Sequence, residues 1–191
     1  MKNIKLTIAL LILTTTSLLG QEFLGVKVDG KKDDAIAVFK SKGFIPSKID
    51  YILKSGNYNF AALDGTAGGK EVELSIHYTP ISKLVWAFVI HLPEKTSWYS
   101  LKDDYQDFVS LFTEKYGEPD VKFDFFLSPY EEGDGYEMTA VEVEKCKYSA
   151  YWGAKYSVSI TRFKQVSLSY ENELNAELNE KEKKQINKNA F

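Results

Sequence analysis

The stretch "KEVELSIHYTPISKLVWAFVIHL", residues 70–92, restricts the fold more than any other part of the chain. Val72, Leu74, Ile76 and Tyr78 alternate with Glu71, Glu73, Ser75 and His77. That period of two belongs to a strand with one buried and one polar face. Turn formers at 79–82 lead into residues 83–92, apolar on both faces, which is the pattern of a strand that is central in its sheet or covered twice.

Other segments extend this sheet. Residues 48–65, "KIDYILKSGNYNFAALDG", read as a hairpin: Ile49, Tyr51 and Leu53 alternate, a turn falls at 55–57, and Tyr58, Phe60 and Ala62 return. Further strands are expected at 121–128, 148–153, 156–163 and 165–170, and a loop at 129–135. Residues 136–145 fit a short helix or a strand, and the helix is the preferred reading. Each set of strands follows a helical pattern. In the second, Tyr105, Phe108, Val109, Phe112 and Tyr116 lie on one helix face, with Ser100 as the expected N-cap, Asp103 as its partner, and Gly117 and Pro119 as the stop. The first is shorter, with Ala35, Ile36 and Phe39 inward, Asp33 and Asp34 in the opening turn, Gly43 at the end and Lys31 as a poor cap.

"KDD" opens both helical patterns, at 32–34 and 102–104. The expected fold is therefore α+β: a tandem repeat of one helix followed by about four antiparallel strands, forming one continuous sheet with the helices on one face. The expected boundaries are a signal peptide at 1–20, a first repeat at 21–97, a second at 98–170, and a charged helical or disordered tail at 171–191. That tail carries Leu174, Leu178 and Ile186 as its few apolar residues and reads as a helix laid loosely on the surface.

Lys2 and Lys5 before the apolar run "LTIALLIL" indicate export, with the cut at Gly20/Gln21. The run is shorter than the roughly 20 residues a membrane helix needs, so the mature chain is expected to be periplasmic or extracellular, with no membrane span. Without Lys2 and Lys5 the 24 basic residues fall to 22 against 27 acidic ones, a net charge of −5 that argues against nucleic acid. Cys146 is the single cysteine, so no internal disulfide supports the fold. It is a reactive thiol, an intermolecular bridge or a buried inert group, and burial is the expectation.

Several chemical motifs are approached and missed. Gly25, Gly30 and Lys31 have phosphate-loop spacing, but Lys32 stands where a Ser or Thr is needed, and only residues 21–24 precede Gly25 in the mature chain, leaving no room for the entering strand. His77 and His91 are placed about six strand residues apart, on the order of 20 Å, and are expected to be solvated or hydrogen-bonded edge residues rather than ligands of one metal. Glu131, Glu132, Asp134 and Glu137 lack calcium-loop rhythm and read as a solvated turn. A carboxylate pair for glycoside hydrolysis needs only two acids brought together, and the sequence nominates none. No catalytic residue, metal site or cofactor is assigned. Tyr58, Trp86, Trp98, Tyr148, Tyr151 and Trp152 are candidates for an aromatic sheet face, with core packing the preferred role of each.

"FLGVKVDG", "KSKGF", the signal end at Gly20/Gln21 and the late "QVSLSYEN" resemble a group of small, functionally uncharacterised exported proteins of Bacteroidetes. That group places Ser or Thr after "DG" as a helix cap, where Lys31 stands here. The helix-plus-four-strand plan is similar in outline to the β-lactamase inhibitor protein fold, which implies a sheet face used for protein binding. The expected function is an exported noncatalytic binding or inhibitory module with a protein or glycan ligand. The alternative is a small secreted hydrolase acting on an envelope or extracellular polymer.

Overall fold

In the computed structural model, residues 22–48 and 59–189 are described. The signal reading, the first arm of the 48–65 hairpin and Tyr58 lie outside them. The described residues open with a small hairpin, β1 (Glu22–Phe23) and β2 (Val26–Lys27), where no strand was expected. Leu24 and Gly25 turn it with φ of 50° and 74°, the paired positive values of a two-residue hairpin loop. Gly25 therefore serves a turn. Gly30 O accepts from Val85 N–H at 2.8 Å, and Lys31 Nζ donates to Ser82 O at 2.7 Å.

The remaining elements are α1 (Lys32–Ser41), β3 (Ile45–Pro46), β4 (Phe60–Ala67), β5 (Lys70–Tyr78), β6 (Val85–His91), α2 (Trp98–Tyr116), β7 (Val121–Phe126), α3 (Glu137–Glu142), β8 (Cys146–Trp152), β9 (Tyr156–Ile160), β10 (Val166–Glu171) and α4 (Glu173–Asn189). β3 to β10 form one antiparallel sheet in the order β3-β4-β5-β6-β10-β9-β8-β7. The fold is thus α+β with a large eight-stranded antiparallel sheet, and residues 137–142 are helical as read.

Alternation sends Leu74, Ile76, Phe88, Ile90, Leu168 and Tyr170 to one face, where all are buried. Helix α1 sets Phe39 edge-on against Phe88 at 5.2 Å. Helix α2 sets Phe112 against Tyr170 and Trp152. The predicted α2 stripe holds, with Tyr105, Val109 and Phe112 buried, and Leu101 and Asp104 join it. Its start does not hold. Ser97 is the cap and accepts from Ser100 N–H, so Ser100 lies inside the helix and Asp104 falls in the second turn. Asp104 is buried there between Lys70 (2.7 Å) and Lys95 (2.8 Å). Burial alone would raise its pKa, but the two ammonium groups outweigh that and hold it below the ordinary value.

Helices α1 and α2 thus pack on one face of the sheet, and α4 takes a separate position. This helix runs along the start of β6, where Asn175 Nδ2 donates to Val85 O at 2.7 Å. Burial first, then the charges of His91 and of Lys183 in this helix, lower the pKa of His77, which stands on the face opposite Ile76. The helix is also pinned rather than loosely laid. Glu182, 7% exposed, accepts from Ile81 N–H at 2.6 Å and from Ser82 N–H at 3.1 Å. Desolvation opposes that carboxylate's charge, yet these hydrogen bonds keep its pKa below the usual range. A depressed folded pKa means the anchor is present above the unfolded carboxylate value and is lost as pH falls through the folded one. Glu182→Ala is expected to cost roughly 1–2 kcal/mol. Amide exchange should show α4 opening first, in the variant at neutral pH and in the native chain as pH falls through the depressed Glu182 value.

Candidate functional site

The site begins with a tight turn. Gly68 and Gly69, with φ of 58° and 77°, join β4 to β5 and pair Ala67 with Lys70. Counting back along both strands puts Asp64 opposite Glu73, and on the next strand His91 is opposite Glu73 as well. Asp64, Glu73 and His91 thus form a row across three adjacent strands, on the face turned away from α1 and α2. Neighbours in such a row have Cα atoms about 4.5–5.5 Å apart. The row continues through Ser167, Ser159 and Ser149 to Phe123 at the far edge.

A groove of ≈ 460 Å³ opens over its β4–β6 end, lined by Asp64, Glu71, Glu73, His91, Thr66 and Gln165 among others. The described lining contains three carboxylates and no lysine or arginine. Desolvation, and then the Asp64 charge, push the Glu73 pKa above its ordinary 4.5. Burial lowers the pKa of His91, and its Nδ1 has no hydrogen-bond partner among the described residues. A neutral imidazole does not balance the two acids. Among the described residues the row therefore holds an uncompensated like-charge pair, which costs stability in a sheet.

The histidines differ from expectation in two ways. Both are on interior strands rather than at an edge, and His91 meets Glu73 rather than residue 71. The register slips where Tyr78 pairs with Val85 and His77 with Ala87, leaving Trp86 as an extra residue. His77 and His91 are thus four strand positions apart, roughly 13 Å. His77 stacks on Phe60 and meets Trp86, each at 5.2 Å, and burial lowers its pKa to about 4.

The aromatic candidates divide. Trp98 meets Phe126 and Tyr148 edge-on, Tyr148 and Trp152 are buried under α2, and Trp152 Nε1–H donates to Gly117 O at 2.7 Å. Trp86 is half-buried, and Tyr151 is exposed on the face that carries the row. Missed in sequence were Phe123 and Phe125, exposed on the same face of β7. Alternation over "VKFDF" was the available signal, since a terminal strand buries neither side fully.

The acidic loop is occupied with its own backbone and with α2. Asp134 accepts from Glu131 N–H and Tyr136 N–H, and Glu137 from Gly133 N–H. Glu132 accepts from Lys102, Trp98 and Tyr148, and Lys102 foremost lowers its pKa. No group of three or more acidic, His or Cys side chains among the described residues is arranged to hold a metal. Cys146 is buried, and desolvation raises its thiol pKa to about 12, so it is a poor nucleophile. No described helix is long and apolar enough to cross a membrane. A smaller apolar slot of ≈ 270 Å³ lies between α2 and the sheet, walled by Val72, Ile90, Phe108 and Leu111. Comparison with protein families, with curated proteins and with solved structures finds no match.

Proposed function

We propose that this chain is an exported, noncatalytic binding module that takes a cationic group, a lysine or arginine side chain of a partner protein, into the groove over Asp64 and Glu73. The observation that carries this reading is the uncompensated carboxylate pair in a groove whose described lining has no cation. A bound ammonium or guanidinium group relieves that repulsion and gains charge-assisted hydrogen bonds. Gln165 and Thr66 supply further polar contacts at the rim.

The same geometry weighs against the hydrolase. A glycoside-cleaving pair flanks the scissile bond, one acid protonating the leaving oxygen and the other working from the opposite side of the sugar. Asp64 and Glu73 are direct neighbours on adjacent strands, so both approach a ligand from beneath. We also infer that the two halves are copies of one unit. Four strands follow α1 and four follow α2, and the two sets meet at β6 and β10. Ala35 and Phe39 in α1 are separated from Tyr105 and Val109 in α2 by the same 70 residues as the "KDD" pair, and all four are buried. This plan is similar in outline to the β-lactamase inhibitor protein fold, and that similarity supports a binding role.

The double substitution Asp64→Asn, Glu73→Gln separates function from stability. It is expected to stabilise the fold by roughly 0.5 kcal/mol, since like charges directly opposite are destabilising. The raised Glu73 pKa fixes the sign: the folded state favours the proton, so this contribution is full below 4.5 and is lost as pH rises through the folded value. The stability gap between variant and native chain should therefore widen above that pH in urea titrations. Binding to a cationic peptide should fall roughly tenfold or more in the same variant.

A further inference from the structure

We propose that β7 is a self-complementary edge through which two copies of this chain pair antiparallel, joining their sheets. Among the described residues, β7 ends the sheet and bonds to β8 alone. Val121, Phe123 and Phe125 stand on one of its faces, 45%, 41% and 44% exposed, which is unusual for an unprotected edge strand. Lys122 and Asp124 stand on the other face, ion-paired at 2.6 Å. Leu127 N–H donates to Lys145 O, so by alternation the odd residues of β7 turn their peptide groups to β8. Lys122, Asp124 and Phe126 turn theirs outward, where a second strand would meet them.

One antiparallel register satisfies both backbone and side chains. With the two-fold axis at Phe123, Lys122 of each copy faces Asp124 of the other as a hydrogen-bonded pair. On the opposite face Phe123 meets Phe123, and Val121 meets Phe125. A shift of one step in either centre, to Lys122 or to Asp124, sets lysine against lysine or aspartate against aspartate. The charge pattern of "VKFDF" therefore fits a second copy in this register and penalises both one-step shifts. The axis lies perpendicular to the sheet, so both grooves over Asp64 and Glu73 open on the same side, at opposite ends of the assembly. This inference stands whether or not those grooves bind a cation.

Analytical ultracentrifugation of the mature chain tests it. The native chain is expected to show a concentration-dependent dimer. Lys122→Asp alone, or Asp124→Lys alone, should raise the dissociation constant roughly tenfold or more, because each sets like charges opposite one another. An equimolar mixture of the two variants should dimerise again, since each then presents the other's complement. Asp124 also accepts from Tyr105 O–H at 3.0 Å, so thermal melts accompany Asp124→Lys. Phe123→Lys, at an exposed position on the axis, provides an independent loss of dimer with the fold intact. A native chain that stays monomeric at the highest attainable concentration, or a dimer indifferent to Phe123→Lys and Lys122→Asp, overturns the proposal.

Discussion

Phe39→Ala is expected to lower the unfolding free energy by roughly 3–5 kcal/mol, the range for emptying a fully buried aromatic site. Phe39 has no exposed surface, and its ring lies 6.0, 5.4 and 5.2 Å from those of Phe23, Phe44 and Phe88. It joins the N-terminal hairpin, α1, the turn after α1 and the central strand. Helix α1 is 10 residues long, with Lys31 at its N-cap, no side-chain cap, and Ala35 as its other buried residue. A helix of that length is marginal in isolation, so packing through this ring decides whether it forms. Phe39→Leu should cost under about 1.5 kcal/mol by keeping most of the volume. Urea denaturation with an unchanged slope measures both. A loss below about 1 kcal/mol for the alanine variant contradicts the role given to this ring.

Gly65→Ala is expected to cost about 2–3 kcal/mol through overpacking. A Cβ at that position would lie 2.3 Å from Cδ1 and 2.5 Å from Cε1 and Cγ of Phe44. The Phe44 ring is 2% exposed and held against Phe39, so it cannot step aside. The strand must shift instead, and Gly65 adjoins Asp64, so the groove deforms with it. Combining Gly65→Ala with Phe44→Ala gives the diagnostic result. Once the ring is gone, the added methyl should cost almost nothing, a coupling that a double-mutant cycle reads directly. Additive losses would mean that the methyl is opposed by something other than Phe44.

Much of the fold was legible because it rests on local periodicity. The alternation at 70–92 identified β5 and β6, and the spacing of Tyr105, Val109 and Phe112 identified the buried face of α2. The start of α2 was misread because Ser97 and Ser100 are both competent caps, and the choice depends on Trp98 docking against Phe126 and Tyr148. The fixing of α4 was hidden for a similar reason. Glu182 in a charged run looks solvated until a turn 100 residues earlier presents its amides.

The site was half legible. Glu73 and His77 were placed on the polar face of their strand, but Asp64 requires the hairpin register. That register was available from "AGGK", since paired glycines between two strand patterns select a two-residue loop and fix Ala67 opposite Lys70. His91 was misplaced by two positions, because Tyr78 pairs with Val85 across a longer turn than 79–82 and because no local pattern announces the extra residue at Trp86. Aromatic residues were candidates for a binding face, yet Tyr148 and Trp152 point to the helix-covered side, a matter of strand phase that composition does not carry.

The most direct test of the central reading is calorimetric titration of the mature chain with a lysine- and arginine-rich hexapeptide, against an acidic peptide of equal length. Saturable binding of the cationic peptide is expected. It should weaken as salt screens the pair, and it should be lost in the Asp64→Asn, Glu73→Gln variant while that variant melts no lower than the native chain. No saturable binding of the cationic peptide at low salt, or equal binding by the native chain and the variant, would contradict the account.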